Sequence, residues 1–249
     1  MIPTMALPRF SLIAAAWALS ICAGLPARAN PVVAIDAGHT RTAQGALSAV
    51  DGRAELFFNM DMAKRVGDSL AKIGIAARQG NLPPREKENF PQRASAGAGA
   101  DFFLSIHHDS AQSKWLAETR EPGRPIRFED RDGRFKGFAL FVDPGDAKGL
   151  ACARLIGAAL VAAGEAPSLY HSDPTYGESR PLLDSKHGVH AFPGLALARL
   201  RKAPMALLEV GVIVNPAESL RLRDKLVQRR IADAAAQGLS NCLSGSKPH

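Results

Sequence analysis

The chain has 249 residues, 46% of them hydrophobic and 22% charged, with a formal net charge of +7. This is ordinary globular composition with apolar material for a sizeable core, enough for one α/β domain or two small ones. The basic residues are dispersed and no nucleic-acid motif is visible, so the charge suits an acidic or polyanionic surface and nucleic acid is set aside.

Residues 1–29 read as a cleavable secretory signal. Arg9 closes a short basic start, "FSLIAAAWALSICAGL" follows as an apolar run, and Ala27-Arg28-Ala29 supplies the small-x-small pattern, so cleavage is expected after Ala29. The run of 16 residues is shorter than the ~20 a membrane span needs. No later segment is long and apolar enough to span, and a periplasmic or secreted protein is expected. Taking Arg9 and Arg28 from +7 leaves the mature chain at +5. Cys22 leaves with the signal. Cys152 and Cys242 remain, either as a disulfide between two helical segments in an oxidising compartment or as two buried thiols.

Along the mature chain, "PVVAIDAGH" (31–39) reads as a buried strand entering a glycine turn. Residues 53–72 place Leu56, Met60, Ala63 and Val66 on one helical face, and Gly74 ends that helix. A short strand is expected at 75–78, a helix over 85–98 and a strand over 101–106 that stops at His107 and His108. Residues 110–136 are dense in charge and turn residues, and read as an exposed loop or lid beside the site, or as a disordered insert. A strand at 137–143 and a helix at 146–163 come next. Then follow a Gly-, Pro-, Ser- and His-rich loop over 166–194, a buried strand at 204–211 and a helical tail over 216–240, broken or continuous.

Alternating strands and helices predict a three-layer α/β fold. Its central sheet is mostly parallel, with about six strands and helices on both faces, in a single domain over 30–249. Ligands of such sheets bind at the carboxyl ends of the strands. His39, His107 and Glu209 fall at such ends and converge on one rim. A catalytic zinc takes three protein ligands, usually His with Glu or Asp, plus an open position and a base. Spacing alone does not choose among the candidates.

Four motifs do. "DAGH" (36–39), "GRAE" (52–55), "SIHHD" (105–109) and "LLEVGVIVN" (207–215) stand in this order. Together they resemble the zinc-dependent N-acetylmuramoyl-L-alanine amidases of the amidase-3 family, over essentially all of 31–240. The resemblance implies a Zn2+ site with His39, Glu55 and His107 as ligands and Glu209 as the catalytic glutamate. It implies hydrolysis of the amide between N-acetylmuramic acid and L-alanine in peptidoglycan or muropeptides. A zinc peptidase of the stem peptide and a non-catalytic wall-binding protein of the same fold are the alternatives. Oligomeric state is left open.

Three further residues are candidates at the site. His108 is a substrate-side residue or a support for the ligands. Asp36 orients His39 or caps the turn. Arg93 faces the substrate or forms a surface ion pair. Arg120, Arg124 and Arg127 of the charged stretch are candidates for gripping substrate carboxylates. Departures from the family pattern are Thr40 in place of a glycine, His108-Asp109 in place of Ala-Asn, and aliphatic residues where Phe and Ser commonly follow the catalytic Glu. They bear on substrate detail and remove no ligand. The long autoinhibitory helix of some family members is not evident after 137–143, so activator-dependent control is not assumed.

Overall fold

The computed structural model of the chain describes residues 30–245. The expected signal segment lies outside the described residues. In chain order the elements are β1 (Val32–Ala37), α1 (Glu55–Lys72), β2 (Ala76–Gln79), α2 (Phe90–Ser95) and β3 (Phe102–Asp109). Then come β4 (Ala117–Thr119), β5 (Arg127–Glu129), β6 (Ala139–Val142), α3 (Ala147–Ala162), β7 (Leu182–Asp184) and β8 (Val189–Ala191). The chain ends with α4 (Ala196–Leu200), β9 (Met205–Val212), α5 (Pro216–Arg223) and α6 (Lys225–Leu243).

Seven strands form the central sheet in the order β2-β1-β3-β9-β6-β8-β7. The neighbours β2–β1, β1–β3, β3–β9 and β6–β8 are parallel, and β6 and β7 run antiparallel to β9 and β8. This is the expected mostly parallel α/β sheet. Side chains alternate across it, as strand geometry requires. Val33 and Ile35 join Phe58, Met62 and Val66 of α1, Ile156 of α3 and Ile231 of α6 in the larger core. Ala34, Phe103, Phe141 and Leu207 face the other way and pack with Ala94 of α2 and Leu197 of α4. Helices thus cover both faces. Cys152 of α3 is disulfide-bonded to Cys242 of α6. Among the described residues no helix is long and apolar enough to cross a membrane.

Several boundaries differ from expectation for local reasons. The helix expected over 85–98 is only α2, because Asn89 caps it by accepting from Gln92 N (3.0 Å) and Pro91 fixes its first turn. β3 runs on through both histidines, because β9 keeps pairing with it as far as Asp109. Residues 110–136 are an ordered insert rather than a bare loop: β4 and β5 make an antiparallel hairpin. The insert is anchored by Asp130, whose N donates to Val214 O (2.8 Å), and by Phe135, fully buried against Val212 and Val214. That contact accounts for Val212 and Val214 in the aliphatic run after Glu209, while Val210 and Ile213 join the larger core. The stretch 166–194 holds β7 and β8. The tail breaks at Asp224, which caps α6 by accepting from Leu226 N (2.7 Å).

Candidate metal centre

Three chain segments meet at the carboxyl ends of β1 and β3. β1 ends at Ala37; Gly38 follows, its N donating to Ile106 O (2.8 Å), and the chain then turns at His39 with φ +72°. A non-glycine residue seldom adopts that conformation. Asn81 holds it there, its Nδ2 donating to Ala37 O (2.6 Å) and His39 O (2.8 Å). A Cβ on Gly38 would lie 2.3 Å from the His107 ring, so only glycine lets this turn pass so close. Glu55 is the first residue of α1, a position that favours an acid because the helix dipole is positive there.

The buried Glu55 carboxylate collects five contacts. Oε2 meets His39 Nε2 (2.8 Å) and accepts from Ala46 N (3.2 Å). Oε1 meets His107 Nδ1 (3.0 Å) and accepts from Asn59 Nδ2 (3.2 Å) and His108 N (3.2 Å). Burial alone would raise this carboxyl, but the hydrogen bonds to His107 and His39 outweigh it and hold Glu55 well below the usual carboxylate range. Burial lowers His39 in turn, and the Glu55 partner more than reverses that, so its pKa is raised.

The donor atoms of His39, Glu55 and His107 all lie within 4.8 Å of one another. Two imidazoles and one carboxylate are the donor set of a catalytic zinc. A Cβ on Gly45 would sit 2.3 Å from Glu55 Oε2 and 2.7 Å from His39 Nε2, so a bare backbone is needed where the donors gather. The residues present therefore fit the ion. Glu209 lies opposite His107 in the β3–β9 ladder. Its residue is partly exposed, yet Oε2 is sealed from solvent without a hydrogen-bond partner. Burial raises its carboxyl well above the usual value, and the charges of Asp109 and Glu55 push it further.

The remaining candidates fall elsewhere. Adjacent strand residues point to opposite faces, and His108 turns toward α1, its ring 5.4 Å from that of Phe58 and its Nδ1 2.8 Å from Asn59 Oδ1. Burial holds its pKa down at about 3, so the ring is neutral and Nδ1 donates to Asn59. His108 and Asn59 thus fix the Glu55 carboxylate from behind. The Asp36 carboxylate makes its hydrogen bonds to Arg93 and Ser105 rather than to His39 or the turn. It takes Arg93 in a bidentate pair (Nη2–Oδ2 2.6 Å, Nε–Oδ1 3.1 Å) and accepts from Ser105 Oγ (2.9 Å). Arg93 is 2% exposed, also pairs with Glu88 (2.8 Å), and so neither faces substrate nor lies on the surface. A guanidinium buried against two carboxylates is fully engaged.

Asn59 and Asn81 are supports that sequence reasoning missed. Asn59 stands one helical turn after Glu55, which is a legible signal. A cavity of about 280 Å³ opens beside the centre, between Gly45, Ala46 and Leu47 on one side and Leu116, Ile126 and Phe128 of the insert on the other. The larger groove between α3 and α6, about 890 Å³, shares no lining residue with the centre. The three arginines expected to grip carboxylates are paired within the insert: Arg120 with Glu118, and Arg124 and Arg127 with Glu121.

The sequence signature of the amidase-3 family, described as N-acetylmuramoyl-L-alanine amidase, matches residues 33–241. No curated protein matches the chain. Among solved structures, the chain is similar to the N-acetylmuramyl-L-alanine amidase of Mycobacterium smegmatis, with TM-score 0.66 and 17% identity over 87% of this chain and 98% of that one. It is similar to the N-acetylmuramoyl-L-alanine amidase of Clostridium difficile 630, with TM-score 0.64 and 17% identity over 87% and 98% of the two chains. It is also similar to the catalytic domain of CwlV, an N-acetylmuramoyl-L-alanine amidase from Bacillus (Paenibacillus) polymyxa var. colistinus. There the TM-score is 0.61 and the identity 22%, over 86% and 98%. At these identities the likeness establishes the fold.

Proposed function

This chain belongs to the N-acetylmuramoyl-L-alanine amidase family, and from that premise we propose that it is an exported zinc hydrolase of peptidoglycan or muropeptides. The bond cut is the amide between N-acetylmuramic acid and L-alanine. The observation that carries the proposal is the convergence of His39, Glu55 and His107 donor atoms within 4.8 Å, with Glu209 opposite His107. His39, Glu55 and His107 hold the ion in this proposal. A zinc bound there supplies a Lewis acid for the scissile carbonyl and for water.

The protein groups do the rest. Asn59, Ala46 N and His108 N orient Glu55, and Asn81 orients the His39 backbone. Glu209 takes a proton from the attacking water and passes it to the leaving alanine nitrogen. Its buried surroundings give it the proton affinity to hold that proton between the two transfers, and Oε2 has no competing partner. The signal segment 1–29 accounts for delivery to the wall, and the disulfide between Cys152 and Cys242 supports an oxidising compartment. Purified sacculi test the proposal. The zinc-loaded protein is expected to release stem peptides into solution and to stop doing so when a chelator removes the metal. Release unaffected by the chelator contradicts it.

A further inference from the structure

A second polar network begins two residues past His107. Asp109 Oδ2 accepts from Tyr170 Oη (2.7 Å) and from His171 Nε2 (2.7 Å). His171 Nδ1 donates to Glu178 Oε2 (2.9 Å). Each ring nitrogen thus faces a carboxylate, and the ring is an imidazolium. Glu178 Oε2 also accepts from Arg180 Nε (3.3 Å). The backbone closes the same loop, with Arg180 N donating to His171 O (2.8 Å).

This network places Arg180. Its guanidinium carbon lies 3.6 Å from the ring centre of Phe192 and 5.3 Å from that of Phe141. A guanidinium stacked on aromatic faces is preorganised, with little freedom left to lose on binding. Phe141 pairs with Leu207, two residues before Glu209 on β9. Two strand residues span ~7 Å, and Arg180 is near enough to Glu209 for its charge to act on that carboxyl. The side chain is 22% exposed, and beyond Nε its nitrogens have no hydrogen-bond partner among the described residues. The cavity against the insert is lined mainly by apolar residues and by no charged side chain.

We infer that Arg180 is a specificity residue that binds a free carboxylate on the peptide side of the scissile amide, so that stem peptides with an acid there are preferred over those carrying a carboxamide. This rests on the amidase proposal. Tyr170, Asp109, His171 and Glu178 act as positioning residues that hold Arg180 in place. The two outer nitrogens of a guanidinium match a carboxylate in a forked pair, whereas a carboxamide presents a donor to a donor.

Two substrates test it: a muramoyl tripeptide with the D-glutamate α-carboxylate free, and the same compound with that group as a carboxamide. The wild-type, zinc-loaded protein is expected to prefer the free acid by about tenfold or more in kcat/KM, carried mainly by KM. Arg180→Gln is expected to bring the preference to within about twofold. Zinc content and melting temperature are measured alongside. Arg180→Lys keeps the charge without the planar fork, retains more of the preference than Gln, and serves should the Gln variant fold poorly. Retention of the full preference in both variants overturns the inference, as does a wild type with no preference. Calorimetric binding of the two released tripeptides separates this from the parent proposal. Arg180-dependent preference in binding without cleavage sustains the carboxylate site and removes the amidase. Cleavage with no Arg180-dependent preference does the reverse.

Discussion

His107 and Glu209 are cross-strand partners in the parallel ladder between β3 and β9. One ladder rung thus carries a proposed metal ligand and the proposed proton carrier. The two roles separate by substitution. Glu209→Gln keeps shape and leaves the donors of His39, Glu55 and His107 untouched. It is expected to retain zinc and to lose about 10²–10⁴ in kcat, the usual worth of a general acid–base group. His107→Ala is expected to lose the metal itself. Metal content by atomic absorption, read beside turnover, checks both. Full activity in Glu209→Gln removes the proton role.

Asn59 holds Glu55 Oε1 through Nδ2 and His108 through Oδ1. Groups that orient a ligand from behind typically matter about 10–100-fold in metal affinity. Asn59→Ala is expected to weaken zinc binding by that factor while leaving the fold intact. Competition against a chelator of known affinity measures it, and an unchanged zinc affinity counts against the support.

His171 gives the molecule an alkaline limit. Burial lowers its pKa, but Asp109 and Glu178 raise it further, to about 9. Because the folded value lies above the ordinary ~6.5, the stabilisation is complete below about pH 6.5 and is lost as pH rises through about 9. The loss is on the order of 3 kcal/mol, since each tenfold change in proton affinity is worth about 1.4 kcal/mol. Glu178's carboxyl is lowered chiefly by its hydrogen bond to His171, the same pair seen from the acid side, with Arg180 lowering it further. Denaturant unfolding at pH 6 and at pH 9.5 is expected to show this drop in the wild type and a flatter profile in His171→Gln. Equal slopes in the two proteins contradict it.

The Cys152–Cys242 bond joins α3 to α6 across a sequence separation of 90. Closing a loop of that size typically contributes about 2–5 kcal/mol. Reduction, or the double change Cys152→Ala with Cys242→Ala, is expected to lower the melting temperature of the purified protein. A thiol-reactive mass tag should find both sulfurs blocked until a reductant is added. Two free thiols in protein recovered from an oxidising compartment contradict the bond.

The parts legible in the sequence were those with a period or a motif. β1, α1, β3 and β9 show in the runs around His39, Glu55, His107 and Glu209, and the alternation of strands and helices gives the sheet. The insert was harder, because β4 and β5 are three residues each, too short for a period to rise above the surrounding charges. Its anchor, Phe135 against Val212 and Val214, joins segments far apart in sequence. Arg93 reads as a surface residue by its charge, and only the meeting of α2 with β1 shows that Asp36 buries it. Arg180 and His171 lie in a stretch of turn residues with no pattern. Their meaning comes from Asp109, 62 residues before His171.

The most direct measurement takes mature protein loaded with zinc, a defined muramoyl peptide and mass spectrometry of the products. Free stem peptide beginning with L-alanine, together with the intact muramyl sugar, is the predicted pair. Loss of a terminal amino acid, with the sugar still attached to L-alanine, would contradict it and identify a peptidase.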